Sequence, residues 1–451
     1  MLPVLIEIGC RRRANRPPLV GEAWNPIMTG QTFSEKLLSI KSGKKVYAGD
    51  VVAAKLDLVY MHDGTAPLAI KVLKDEFGEE KVWNPSRVLF FVDHVAPSSN
   101  VDTSKLHKYM REFARKHGIK VFEAGHGINH QVVFEEGYAV PGALIVGADS
   151  HTVTQGAVGA FATGVGSTDA AIAMMTGSLW FRVPDSLKIV LEGHLGEAVL
   201  GKDVALYLLG ELGTSGANYM TLEFHGSGVK NLSLDSRLTI ANMSVEMGAK
   251  NAYFPPDETV MQHLERVGAK LPVKPVYPDP NAEYVDTITV ELDKIEPLVA
   301  TPPLPSNVKH VREVEGVEVD QVFIGSCTNG RVEDFHAAAR ILKGRRVKDG
   351  VRCIAIPASR RVFYELLRDG TLEILVESGC TVTHGTCGPC VGAHFGVLGP
   401  NEVMVATSNR NFPGRAGDRT AKIYLANPYT AAAAAVEGKI VDPRHLLRKV
   451  F

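Results

Sequence analysis

Apolar and polar positions in this chain fall into short runs whose period changes along its length. Val88–Val92 and Val140–Val146 are apolar runs of strand length, while Lys105–His117 carries its apolar residues at helical spacing. From about residue 186 to 298 the pattern becomes one of alternating strands, including Leu187–Leu191 and Val285–Leu292. At Val299–Asn307, Pro302, Pro303 and Pro305 crowd together, which favours an extended, semi-rigid linker. Beyond it the rhythm is strand, helix, strand, helix: Val322–Gly325, Val332–Leu342, Cys353–Ile356 and about Arg361–Arg368. Such alternation predicts an α/β body with parallel strands and helical crossovers. Ligands in such sheets bind in loops beyond the carboxyl ends of the strands. Cys327 directly follows one of those strands.

Domain borders follow from the same signals. Thr32 precedes Glu35 in a T-x-x-E capping box, followed by Leu37 and Leu38, so an ordered domain is expected to begin near Met28. In residues 1–27 the apolar run Leu2–Gly9 comes before Arg11, Arg12 and Arg13, the reverse of a secretory signal, and the segment reads as an extension. A chain of 451 residues exceeds one ordinary core. The expected division is 28–185, 186–298, a linker at 299–308, and 309–451. Gly156–Phe181 carries one charge, Asp169, but its glycines, serines and threonines predict loops leading into a buried small-residue helix rather than a membrane span.

Composition narrows the class of function. With 45% hydrophobic and 22% charged residues and a formal charge of −1, the chain offers no polyelectrolyte surface to nucleic acid. An anionic ligand must be held by a few local arginines. The six cysteines are too sparse for a disulfide framework and suit a reducing cytoplasm.

The sharpest local signal is His384-Gly-Thr-Cys387-Gly-Pro-Cys390. A C-x-x-C containing glycine and proline forms a tight turn that aims two thiolates at one metal, and by itself fits zinc, an iron–sulfur cluster or a redox dithiol. No thioredoxin-like strand–motif–helix arrangement surrounds it. Cys327, in Gly325-Ser-Cys-Thr-Asn-Gly330, stands 60 positions upstream. His384 completes a zinc site with these three thiolates, whereas an open fourth position suits a catalytic metal. Cys353 reads as a small hydrophobe in a strand core, and Cys380, seven residues before the pair, is an alternative fourth ligand.

Seven segments then fall in one order: Asp93-His94; Gly127-Ile-Asn-His130-Gln; Gly147-Ala-Asp149-Ser150-His151-Thr; Ala241-Asn242-Met-Ser-Val-Glu246; Gly325-Ser-Cys327-Thr-Asn; Cys387-Gly-Pro-Cys390; and Ser408-Asn409-Arg410-Asn-Phe-Pro-Gly414-Arg415. Together they resemble the aconitase superfamily over nearly the whole chain from Met28. The resemblance implies a three-domain α/β/α body with mostly parallel sheets. It implies a 4Fe–4S cluster held by Cys327, Cys387 and Cys390, with Cys380 left out and one iron open to the substrate. It implies that His94, partnered by Asp93 and supported by Glu246, is the acid at the departing hydroxyl. His130, Asp149 and His151 surround the iron-bound oxygen. His62, Ser150, Asn242 and Asn409 join the substrate site, and Arg410 and Arg415 clamp carboxylates. Asn242 and Glu246, four apart, are expected to share one helix face.

Full-length aconitases add a swivelling domain with a serine base. The chain is expected to lack it and to resemble the large subunits of two-component isopropylmalate isomerases and homoaconitases. A separate small subunit then supplies the missing base. His62, in Met61-His-Asp-Gly-Thr65, is typical of that branch, where aconitases proper have glutamine. The expected substrate is a hydroxy dicarboxylate or tricarboxylate: isopropylmalate in leucine synthesis, with homoaconitate in lysine synthesis as the alternative. Some relatives lose the cluster and bind RNA; the near-zero charge and missing domain argue against that here.

Overall fold

The computed structural model describes residues 30–78 and 81–447. The extension at 1–27 and Cys10 lie outside the described residues. Thr32 caps the first helix, Phe33–Ser42, in the anticipated capping box: its hydroxyl accepts from the Glu35 amide, and the Glu35 carboxylate accepts from the Thr32 amide at 2.9 Å.

Besides a two-stranded antiparallel pair, Val51–Lys55 with Ser178–Arg182, three larger sheets build the body of the described residues. The first has five parallel strands, ordered Lys120–Phe122, Val88–Phe91, Leu58–His62, Leu144–Gly147 and Phe161–Gly164. The second has four parallel strands, ordered Asn251–Tyr253, Thr221–His225, Ser186–Glu192 and Thr287–Glu291. The third has seven, ordered Val308–His310, Leu298–Ala300, Lys422–Ala426, Val403–Ala406, Gln321–Ile324, Arg352–Ala355 and Thr381–Val382. Only its first two pairings are antiparallel. The chain is thus α/β with mostly parallel sheets. Strands such as Val88–Phe91 and Gln321–Ile324 are buried on both faces, so their sequences are continuously apolar rather than alternating.

The helix Val332–Leu342 has the expected bounds. Two expectations shift for local reasons. The strand expected at Val140–Val146 is Leu144–Gly147, because Pro141 and Gly142 turn the chain first and Gly142 takes φ 74°. Pro302, Pro303 and Pro305 lie in the turn joining Leu298–Ala300 to Val308–His310, two paired strands of the third sheet. The small-residue helix is Ser167–Thr176, with Ala170, Ala171, Ala173 and Met174 buried. Among the described residues, no helix is long and apolar enough to cross a membrane.

Candidate active site and cluster site

The carboxyl ends of two sheets converge on one cavity of about 280 Å³. From the first sheet, His62 ends its strand, Asp93-His94 follows Val88–Phe91, and Asp149-Ser150-His151 follows Leu144–Gly147. From the third, Cys327 follows Gln321–Ile324, Cys387 and Cys390 follow Thr381–Val382, and Asn409-Arg410 follows Val403–Ala406. His130 enters from the first turn of the helix Asn129–Glu135. The cavity wall contains His62, His94, His130, Asp149, Ser150, His151, Cys327, Cys387, Cys390, Asn409, Arg410 and Arg415. Asp93, Asn242 and Glu246 stand one layer behind it, each bonded to a wall residue.

Asp149 is the hub. Its oxygens lie 3.2 Å from His130 Nε2, 3.5 Å from His94 Nε2, and 3.7 Å from both His62 Nε2 and His151 Nδ1. Burial works to raise its pKa, but the charge of His130 and hydrogen bonds from His130, His151 and His94 hold the carboxyl well below the usual range. His94 and His62 stack with centroids 3.6 Å apart, yet titrate in opposite directions. Burial disfavours the His94 cation, but negative charge at Cys387, present when that sulfur is ionised as a ligand, and the Asp93 carboxylate, 2.9 Å from Nδ1, raise its pKa well above the ordinary value. Burial and the neighbouring charge of His94 push His62 down to about 4. A protonated imidazole is therefore held against a neutral one, which separates a proton donor from a polar contact.

Glu246 accepts from His151 Nε2 at 2.8 Å and pairs with Arg410 Nε at 2.9 Å. The helix Leu234–Met243 ends before it, and Ser244–Met247 is a 3₁₀ turn. Asn242, still on the helix, points elsewhere: its Nδ2 donates to Thr154 Oγ1 at 2.9 Å and to Cys327 Sγ at 3.3 Å. The shared helix face expected for these two residues is thus broken by the change in helical pitch. Arg410 Nη2 also donates to Ser150 Oγ at 2.9 Å. Arg415 lines the cavity, and its buried Nε has no hydrogen-bond partner among the described residues.

The cysteines are positioned by backbone contacts that cross between sheets. Cys387 donates its amide to the Asp93 carbonyl at 3.0 Å, and Thr386 Oγ1 donates to the same oxygen at 2.8 Å. Gly127 takes φ 142° and abuts Ser359, where a Cβ would sit 2.7 Å from the Ser359 backbone. That close approach packs Ile128 with Cys327, Ala358 and Cys387. Ser326, in the left-handed region at φ 74°, sets the bend that aims Cys327, a strained conformation of the kind stored at functional sites. Burial and the charges of Cys390 and Cys387 push the Cys327 thiol far up; burial takes Cys387 to about 12. The buried Cys327 and Cys387 thiols resist ionisation unless a cationic group offsets the cost, and thiolates are the ligand form. The donor set fits a metal cluster with one coordination position left to a substrate. His384 faces away, toward the Ala96 carbonyl at 3.3 Å.

Three residues of this region had not been singled out from sequence. Asp63 accepts from the amides of His94 and Val95 at 3.0 Å each and from His107 Nε2 at 2.9 Å, fixing the Asp93-His94 turn. Arg331 grips the Cys327 loop, with Nη2 donating to the Cys327 carbonyl at 2.6 Å. Buried Lys202 donates to the Thr407 and Ser408 carbonyls at 2.9 and 2.5 Å, anchoring the loop of Asn409 and Arg410. Asp63 and Arg331 adjoin recognised motifs; Lys202 carries no local signal.

An α/β body of mostly parallel strands thus brings three thiols, a carboxylate–imidazole network and guanidinium groups to one pocket at its strand ends. Residues 35–438 match the Aconitase family (aconitate hydratase), and the chain belongs to that family. It is 50% identical over 420 residues to the 3-isopropylmalate dehydratase large subunit 1 of Methanopyrus kandleri, covering 93% of this chain and 100% of that one. It is 47% identical to the 3-isopropylmalate dehydratase large subunit of Aquifex aeolicus, covering 93% and 98%. It is 50% identical over 394 residues to the probable methanogen homoaconitase large subunit of Methanosarcina mazei, covering 87% and 100%. Among solved structures it has a distant likeness to the holo-form of Thermococcus kodakaraensis aconitase X: 14% identity, a TM-score of 0.49, covering 84% and 89%.

Proposed function

We propose that the chain is the large subunit of a 3-isopropylmalate dehydratase. It is a cytoplasmic hydro-lyase subunit that interconverts 2-isopropylmalate and 3-isopropylmalate by dehydration and rehydration in leucine biosynthesis. The observation that carries this reading is the near-full-length likeness, at 45–50% identity, to large subunits of that name. Homoaconitate hydration is the second reading, favoured by the Methanosarcina mazei relative.

Cys327, Cys387 and Cys390 would hold a 4Fe–4S cluster, which supplies a Lewis-acidic iron to the hydroxyl and a carboxylate of the substrate. His94, kept protonated by Cys387 and Asp93, holds a proton for the departing hydroxyl. Asp149 orients the surrounding imidazoles. Arg415, from the cavity wall, receives a substrate carboxylate, and Arg410 does so from its brace on Glu246 and Ser150. A small subunit carrying the swivelling domain supplies the base for the carbon-bound proton.

The test is reconstitution. The anaerobically purified chain alone should turn over negligibly, since a missing general base costs about 10²–10⁴ in rate. Adding a small subunit of the swivelling-domain type should restore dehydration of isopropylmalate. Robust turnover without a partner, or a restored enzyme that takes homoaconitate and refuses isopropylmalate, would overturn the assignment.

A further inference from the structure

We propose that Cys353 and Cys380 form an oxidisable dithiol that closes into an intrachain disulfide across the edge of the seven-stranded sheet. Neither residue belongs to the cavity, and the inference stands whatever the chain catalyses.

Register brings the pair together. Ile354 and Ala355 pair with Thr381 and Val382 in parallel, so Cys353 and Cys380, each one residue earlier, lie opposite one another on neighbouring strands. Neighbouring strands run about 4.8 Å apart, inside the roughly 4.4–6.8 Å range of Cα separations that a disulfide spans. Opposed residues of a parallel pair face the same side, and here the Cys380 thiol donates to Cys353 Sγ at 2.7 Å. The two sulfurs are thus aimed at each other in an apolar setting that includes Val322, Ile324, Leu366 and Leu375. Such a setting penalises thiolates but accepts a neutral disulfide at no comparable cost. Access comes from the edge: Thr381–Val382 is a two-residue terminal strand, and Cys380 stands between exposed Gly379 and Thr381. Local opening there releases little structure.

The oxidant is a low-molecular-weight disulfide of the glutathione type. The Cys380 thiolate attacks one of its sulfurs and releases one small thiol. The Cys353 thiolate then displaces the second, forming the Cys353–Cys380 bond. The protein dithiol loses two electrons, the small disulfide becomes two thiols, and those thiols take up the two cysteine protons.

The full-length chain should be incubated with oxidised glutathione, alkylated under denaturing conditions, digested with trypsin and read by tandem mass spectrometry, whose fragment ions locate the linked sulfur within the peptide 369–410 that also carries Cys387 and Cys390. The peptide carrying Cys353 should appear joined to the one carrying Cys380, and Cys380→Ala should abolish the link. A cross-link of this span in sequence stabilises mainly by restricting the unfolded chain. The oxidised protein should therefore melt about 4 °C above the dithiothreitol-reduced form, a gap absent from Cys353→Ala. Complete alkylation of Cys353 after oxidation, or a link that survives Cys380→Ala, would overturn the proposal. The first measurement uses the unaltered chain, so a variant that folds poorly does not blunt it.

Discussion

Replacing Arg331 with methionine tests whether the cysteine loop is held by one buried cation. The guanidinium is 1% exposed and makes four bonds: Nε to Gln131 Oε1 at 3.0 Å, Nη1 to the Thr328 carbonyl at 2.7 Å and to Thr239 Oγ1 at 3.2 Å, and Nη2 to the Cys327 carbonyl at 2.6 Å. Its charge is balanced by Asp334 and Asp235, whose pKa values burial raises and Arg331 lowers. Methionine keeps the apolar stem but leaves two carbonyls without their donor and removes the cation that faces buried Asp334 and half-buried Asp235. Breaking a buried ionic set by removing one partner costs about 3–5 kcal/mol. Unfolding entropy of about 2.1 cal/mol/K per residue gives roughly 0.9 kcal/mol/K for a chain this long, so the melting temperature should fall by about 3–5 °C. Because the lost donors hold the Cys327 and Thr328 carbonyls, iron and acid-labile sulfide per chain should fall as well. Arg331→Lys restores the charge without the fork, and should recover most of the melting temperature but less of the iron. Calorimetry and metal analysis on the same preparations decide the matter. An Arg331→Met protein that melts within 1 °C of the parent and carries full iron would refute the reasoning.

Two further outcomes follow from the cysteines and from one buried acid. Cys327→Ser, Cys387→Ser and Cys390→Ser should each abolish iron binding while Cys353→Ser and Cys380→Ser retain it; unchanged iron in Cys387→Ser sinks the ligand set. Burial pushes Glu135 up to about 7, partly offset by donors from Ser359 Oγ and Gln131 Nε2. Between the ordinary carboxyl value near 4.5 and about 7, the folded chain keeps a proton that the unfolded chain releases, so stability falls as pH rises through that window. Glu135→Gln should flatten that decline in melting temperature, and equal slopes in the two proteins would rule it out.

The residues that touch the cavity were legible because acid–base and ligand chemistry needs particular side chains, which recur as motifs. Asp149, His94 and the three cysteines could be named without coordinates for that reason. Connections between motifs were less legible. Asn242 and Glu246 were expected on one helix face, but a change from α to 3₁₀ pitch after Met243 turns Glu246 toward His151 and Arg410. Lys202 was invisible because its partners are the Thr407 and Ser408 carbonyls, groups that every residue carries and that leave no pattern. Prolines at 302, 303 and 305 mark a bend equally well whether the chain leaves a sheet or returns to it. Here it returns, a pairing across sequence that local propensity does not encode.

The spread of the site over more than 300 residues follows from the same physics that builds the sheets. A parallel strand hands its chain to a crossover helix, so each strand contributes one short loop at its carboxyl end. His62, Asp93-His94 and Asp149-Ser150-His151 come from three such loops of one sheet; Cys327, Cys387-Cys390 and Asn409-Arg410 come from three of another. Acid–base groups thus gather on one wall and thiols and guanidinium groups on the other. Among the contacts that bridge them are Asp93, whose carbonyl takes the Cys387 amide while its carboxylate holds His94, Glu246, which joins His151 to Arg410, and the Arg410 bond to Ser150. The two walls are therefore tied through the imidazole network on one side and the cysteine and arginine loops on the other, so a shift of one sheet against the other disturbs both sets of contacts together.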